Sequence, residues 1–243
     1  MTAPAVTSLL RRAGEWLVEP AESSADTQVL VASPSCDCAR PGDAVSPRSH
    51  PVIGVVGLAR RCGATTLARA LAAELASRHA GAAVVASPAR PEVVALGSSP
   101  PAARLADQLP QLEDRRAAGR LCLATCPDAA RLAGATRWLA PAVMEVEPGS
   151  AALDAAPVLD RILLVASPGL EPPLADAVAE TIAAVARPPL VVVNRALDHG
   201  PWLMRGDVLV PDSRLGARMA LAGREPRGWL GRSIAQLADL CTG

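Results

Sequence analysis

Between Pro51 and Ala80 the chain carries residues of the types, and at the spacing, that hold phosphate. An unbroken apolar run, Val52 to Val56, leads into a glycine-bearing turn, Gly57 to Gly63, and then into Thr65-Thr66. From there Leu67, Leu71 and Leu75 recur every fourth residue, which puts one apolar stripe on a helix. The first N–H groups of a helix have no partner within it and point outward. A small-residue turn before them and hydroxyls among them make a cradle for phosphate oxygens.

Other polar residues sit at the ends of later apolar runs. Ser87 follows the run 82–86, Glu145 lies in the run 142–146, and Ser167 follows the run 161–166. Asn194-Arg195 follow the run 190–193, and Pro211-Asp212 close the run 208–212. A further short strand is expected over 121–125. Helical spacing is expected over 102–118 with a break at Pro110, over 127–139, over 172–186, over 214–223 and over 231–240. In 172–186 the apolar face is Leu174, Val178, Ile182 and Val185; in 231–240 it is Ile234, Leu237 and Leu240. Such alternation predicts an α/β fold, a doubly wound and mostly parallel sheet with helices on both faces. Sheets of this kind bind ligands at the carboxyl ends of their strands. That edge is expected to carry Gly63, Thr65, Ser87, Glu145, Ser167, Asn194 and Pro211. Before it, residues 1–50 read as a short helix (5–18), a strand (27–32) and a Pro/Ser-rich linker, leaving 51–243 as the main domain.

The phosphate cradle departs from the P-loop pattern G-x-x-x-x-G-K-[ST]. Ala64 stands where the lysine belongs, and the first glycine position is Leu58, with Gly57 one place early. The stretch Ala59 to Thr66 resembles the deviant loop of the MinD/ParA family, K-G-G-V-G-K-T-T. Gly63, Thr65 and Thr66 match; both lysines are lost at Ala59 and Ala64, and two glycines are Arg60 and Arg61. The resemblance runs to the C-terminus. Glu145-Val146-Glu147-Pro148-Gly149 is similar to the family's D-x-P-x-G, with Glu145 at the aspartate position. Asn194 and Arg195 match its base-recognition pair, and Val208 to Asp212 its late strand and I-P-x-D turn. The strand-end aspartates of the family are replaced by Ser87-Pro88-Ala89-Arg90, with no carboxylate before Glu92.

The resemblance implies a nucleotide contact set of Gly57, Arg60, Arg61, Gly63, Ala64, Thr65, Thr66, Asn194, Arg195, Pro211 and Asp212. It implies Thr65 and Glu145 as the residues nearest a magnesium ion. The cofactor would be ATP or ADP with Mg2+, held weakly or not at all. Without the lysines and the aspartates, no catalytic residue is assigned, because phosphoryl transfer needs neutralised charge and an oriented nucleophile. The expected role is a non-hydrolysing binding and positioning protein, closest in character to the CpaE/TadZ-like branch that places pilus or septum components. Its partners would be proteins of positioning or pilus and secretion machinery, with a homodimer and peripheral membrane contact allowed. The alternative is an active ATP-binding switch or weak ATPase using Arg60 or Arg61 in place of lysine, since arginine forks phosphate well.

Composition narrows the classes. A chain of 243 residues suffices for one ample α/β domain and is short for two. Half its residues are hydrophobic, yet it has four Trp and no Phe or Tyr, so the core must be aliphatic. The aromatic platforms on which single strands stack are nearly absent. Lys+Arg and Asp+Glu both number 24, and every basic residue is arginine. Zero net charge supplies no global field for DNA or anionic lipid, which disfavours a nucleic-acid partner. No apolar run reaches the roughly 18 residues that span a bilayer. With no signal peptide, the chain is expected in the cytoplasm, in part at the inner face of the membrane, with reduced thiols at Cys36, Cys38, Cys62, Cys122, Cys126 and Cys241. Cys36-x-Cys38 and Cys122-x-x-x-Cys126 lack the usual zinc spacing. His50, His79 and His199 are scattered and suggest no catalytic set.

Overall fold

Strands of Val, Ile, Leu and Ala that hide both faces belong inside a parallel sheet. The computed structural model describes residues 49–93, 97–196, 200–202 and 205–243, which lie in one compact unit, Val45–Gly243. The helix and strand expected before residue 33, most of the linker, and Cys36 and Cys38 lie outside the described residues. The strands are β1 (Val52–Gly57), β2 (Ala83–Ser87), β3 (Glu113–Ala118), β4 (Leu121–Thr125), β5 (Ala142–Val146), β6 (Arg161–Ala166), β7 (Leu190–Asn194) and β8 (Val208–Val210). They form one sheet in the order β3-β4-β2-β5-β1-β6-β7-β8. Every neighbouring pair is parallel except β3 with β4.

The helices are α1 (Ala64–Arg78), α2 (Pro100–Asp107), α3 (Ala129–Thr136), α4 (Ser150–Ala155), α5 (Pro172–Ala183), α6 (Arg214–Leu221) and α7 (Gly228–Thr242). Side chains alternate along each strand, so the sheet feeds two aliphatic layers. On one face Ile53, Val55, Val85, Val143 and Leu163 pack against α1 and α7. On the other Val52, Val56, Val84, Met144 and Leu164 pack beneath α2 to α5. Helix α1 is buried on nearly all sides, with Leu67, Leu71 and Leu75 among alanines. Lacking bulky side chains, it lies close to both the sheet and α6–α7. Its buried stretch, 67–76, is apolar apart from Arg69 and Glu74, and so apolar a helix is stable only when covered.

Two local expectations change. The stretch 102–118 is not one interrupted helix: after α2 it becomes β3, an antiparallel edge strand with a bulge between Glu113 and Arg116. Glu113, Asp114, Arg115 and Arg116 are exposed. Charge on an edge strand blocks pairing with a further chain, and it also hides the alternation that marks a strand in sequence. Leu174 on α5 and Val185, just past its end, are about half exposed; Ile182 is buried and Val178 packs against the core as expected, with Pro172 and Ala175 completing the buried side. The small Ala175 is fully buried in a cluster with Ala166, Val191, Val193 and Trp202. On α7, Ile234 and Leu237 are buried as expected, but Leu240 is exposed and Cys241 takes the inner position.

At the amino-terminal end of the sheet, His50 stands edge-on to His79 with ring centroids 5.9 Å apart. Burial, then the neighbouring His79, lowers the His50 pKa below its ordinary value of 6.5. The folded state therefore favours neutral His50. Its contribution to stability is complete above pH 6.5 and is lost as pH falls through the folded pKa. The melting temperature should drop between pH 7.5 and 5.5, and His79→Ala should flatten that slope. An unchanged slope in the variant would show that other groups carry it.

Candidate functional site

The carboxyl ends of β1, β5, β6, β7 and β8 meet at one edge, and the loop after β1 curls over it. Leu58 N–H donates to the Val165 carbonyl at 3.0 Å, and Cys62 N–H to the Ala59 carbonyl at 3.3 Å. Cys62 is buried beneath the loop. A Cβ on Gly57 would lie 3.0 Å from the Cys62 sulfur, so the small residue lets the loop fold back. Gly63 closes the turn at φ 88°, in the left-handed region, and α1 begins at Ala64. Arg61 also has a positive φ, 60°. Arg60 and Arg61 are exposed and form no hydrogen bond or ion pair among the described residues.

Thr65, in the first turn of α1, donates its hydroxyl hydrogen to Glu145 Oε2 at 2.7 Å. Parallel pairing of Val55 with Glu145 sets this glutamate beside the strand that enters the loop. Burial raises the Glu145 pKa, while the Thr65 hydroxyl and the charge of Arg69 oppose the rise. Arg69, one turn further along α1, is 3 % exposed. It donates to the Glu92 carbonyl at 2.7 Å and to the Leu221 carbonyl at 3.2 Å. It thus ties α1 to the segment after β2 and to the end of α6. Nothing in the sequence singles out Arg69 except its position four residues after Thr65.

Asn194 ends β7 and is buried. Its Nδ2 donates to the Cys62 carbonyl at 2.8 Å, across 132 residues of sequence. Arg195 follows at φ 60°. Beside this amide opens a cleft of about 120 Å³. Its polar lining is Thr66, Asn194, Arg195, Asp212, Ser213 and Arg214, and Pro211 closes one side. Its apolar floor includes Leu67, Ala70, Leu230 and Ile234. Ser213 accepts from Gly216 N–H at 3.0 Å and starts α6 at the rim.

The structure brings Thr66, Asn194, Arg195, Pro211 and Asp212 around one cleft, with Gly63 against the Asn194 amide and Thr65 on Glu145. Gly57, Arg60, Arg61, Ala64 and Thr65 do not line the cleft. Ser213, Arg214 and the apolar floor went unread in the sequence; they belong to helices whose approach only the fold sets. Among the described residues no three His, Cys, Asp or Glu are grouped to hold a metal. Cys62, Cys122, Cys126 and Cys241 are free and buried. Burial pushes the Cys122 thiol up to about 11, so at neutral pH it is protonated.

The order of the strands, the loop after β1 and the place of Asn194 can be set against known structures. A ParA family ATPase from Chlorobium tepidum superposes with a TM-score of 0.55 at 14 % identity, covering 77 % of this chain and 98 % of that one. The septum site-determining protein MinD from Pyrococcus horikoshii, solved with Mg-ADP, gives 0.55 at 13 %, covering 79 % and 96 %. A chain of the MinC:MinD cell division protein complex of Aquifex aeolicus gives 0.53 at 15 %, covering 78 % and 94 %. The fold is that of the MinD/ParA P-loop proteins. No family model and no curated protein matches the sequence. In the MinD/ParA-like frame, Glu145 lies on the strand beside the P-loop strand and faces the first-turn threonine. Among the described residues, no helix is long and apolar enough to cross a membrane.

Proposed function

We propose that the chain is a non-hydrolysing MinD/ParA-like positioning protein that uses its P-loop fold as a scaffold. The observation that carries this is the start of α1. Ala64 replaces the lysine, and the neighbouring Thr65 hydroxyl is bonded to Glu145. No carboxylate ends β2, where Ser87 instead donates to the Ala89 carbonyl. A single charge-stabilising donor is worth about 2.7–4 kcal/mol in a transition state, so these losses together remove useful turnover.

A nucleotide fits the site unevenly. The cleft suits a base and sugar, with Asn194, Arg195 and Pro211-Asp212 around it. One hydroxyl and one carboxylate, Thr65 and Glu145, match by type the donors that hold phosphate-bound Mg2+. No lysine stands at the helix start to meet the phosphates. The partners of such a scaffold would be proteins, with a homodimer allowed. The CpaE/TadZ-like reading makes pilus or septum placement the process, in the cytoplasm or at the membrane's inner face. Residues 1–50 would be an appendage to the 51–243 domain.

The test is phosphate release by the full chain with ATP and Mg2+. None above the buffer blank is expected; saturable release abolished by Thr65→Ala would sink the proposal. Ala64→Lys should also release none, because the strand-end carboxylates stay absent. Turnover in that variant would show the rest of the site to be intact. A second reading, a switch using Arg60 or Arg61, is favoured by the exposure of both guanidinium groups beside the loop. It requires release that Arg60→Ala or Arg61→Ala removes.

A further inference from the structure

Two of the chain's three histidines meet at the amino-terminal end of the sheet, away from the cleft. His50 precedes β1, and its backbone N–H donates to the Arg137 carbonyl at 2.7 Å. His79 ends α1, and its backbone N–H donates to the Leu75 carbonyl at 3.1 Å. Both backbones are thus held, and the rings stand edge-on, 5.9 Å between centroids and 77° between planes. His50 is half-buried and His79 exposed. Neither imidazole forms a hydrogen bond or an ion pair among the described residues. A neutral imidazole carries a lone pair that takes a proton donor or a metal ion. Among the described residues no donor meets it.

The surroundings suit a cation. His79 lies at the carboxyl end of a 15-residue helix, where the aligned peptide dipoles are negative. The basic groups beside the pair are already balanced: Arg78 is bonded to Glu74 and Asp239, and Arg137 to Asp160. Two imidazole nitrogens about 2.0–2.1 Å from one tetrahedral ion leave their ring centroids roughly 5 Å apart. Rotation of the exposed His79 side chain brings the observed separation to that value with both backbones in place. Among the described residues no third His, Cys, Asp or Glu is grouped with the two, so water would complete the coordination. A closed structural zinc site takes four protein ligands, whereas a pair holds an exchangeable ion.

We propose that His50 and His79 together form an exchangeable site for a late divalent transition-metal ion, of the class Ni2+, Cu2+ or Zn2+ that imidazole ligates. The ion ties the entry of the chain into β1 to the end of α1. The site stands independently of any nucleotide in the cleft.

The experiment is calorimetric titration of the full chain with NiCl2 at pH 7.5, with thermal melts in Ni2+ and in EDTA. Ni2+ is the probe because thiolates elsewhere in the chain draw Zn2+ more readily. One ion should bind per chain and raise the melting temperature, and EDTA should reverse the rise. His50→Ala and His79→Gln should each weaken binding by about tenfold or more, and the double variant should be no worse than either single one, because a chelate is lost with either ring. Cu2+ bound in place of Ni2+ should show two imidazole nitrogens by electron paramagnetic resonance. Metal-free melts of the variants separate loss of a ligand from loss of the fold, and the exposed position of His79 keeps the test available if His50→Ala fails to fold. No binding at millimolar Ni2+, or binding unmoved by His79→Gln, overturns the proposal. So does a Cu2+ signal with a single nitrogen, which would mark an adventitious ion only.

Discussion

Gly223→Ala should destabilise the protein by about 2–5 kcal/mol, combining a left-handed backbone penalty with overpacking. Gly223 has φ 66°, and a Cβ there would lie 1.9 Å from the Ala118 carbonyl oxygen. That neighbour is backbone and cannot swing aside. On the other side of the contact, a Cβ on Gly119 would meet the Gly223 oxygen at 2.3 Å. The two glycines let the β3–β4 turn dock on the end of α6, where Arg120 N–H donates to the Gly223 carbonyl at 2.8 Å. Gly119 also exchanges bonds with the segment before α2: its N–H donates to Gly97 and its carbonyl accepts from Ser99. Separating this contact loosens the edge of the sheet and α6 together. For a domain of this size the melting temperature should fall by about 4–20 °C. A fall under 2 °C would show that the turn can shift at little cost.

Gly63→Ala should cost about 2–5 kcal/mol and should empty the cleft of ligand as well. At φ 88° a non-glycine residue carries about 1–3 kcal/mol of strain. The added Cβ would also sit 2.1 Å from Asn194 Nδ2. The amide must then leave the Cys62 carbonyl, and a buried polar group without its partner costs about 1–3 kcal/mol more. A double-mutant cycle separates the two parts. In an Asn194→Gly background only the backbone strain remains, so Gly63→Ala should become cheaper by about 1–3 kcal/mol in urea unfolding. Equal costs in both backgrounds would mean that Gly63 is needed for its backbone alone.

Local features were legible along the chain because their causes are local. Four apolar side chains around Gly54 in Val52–Val56 can only be a buried strand or a short buried helix piece, and the glycine turn after them decides for the strand. Leu67, Leu71 and Leu75 marked α1 because four-residue spacing is a property of one helix. The strands 121–125, 142–146 and 161–166 coincide with β4, β5 and β6 for the same reason. β3 was illegible because charge at an exposed edge removes the apolar alternation. On α5 Ile182 and Val178 were read correctly, but the inner positions Pro172 and Ala175 were missed because small residues give a weak hydrophobic signal.

The chain alone thus determined the alternation of buried strands and helices, the glycine turn before Thr65, and the absence of lysine from that turn. Those follow from residue type and short-range spacing. Tertiary structure alone decided that Thr65 bonds to Glu145, 80 residues away, and that Asn194 holds the Cys62 carbonyl. It also decided that Arg69 is spent on two distant carbonyls, and that α6 and α7 close a cleft with the end of β8. A side chain chooses among many possible partners by proximity, and proximity across such distances in sequence is set by the crossing order of the sheet, which no local pattern encodes.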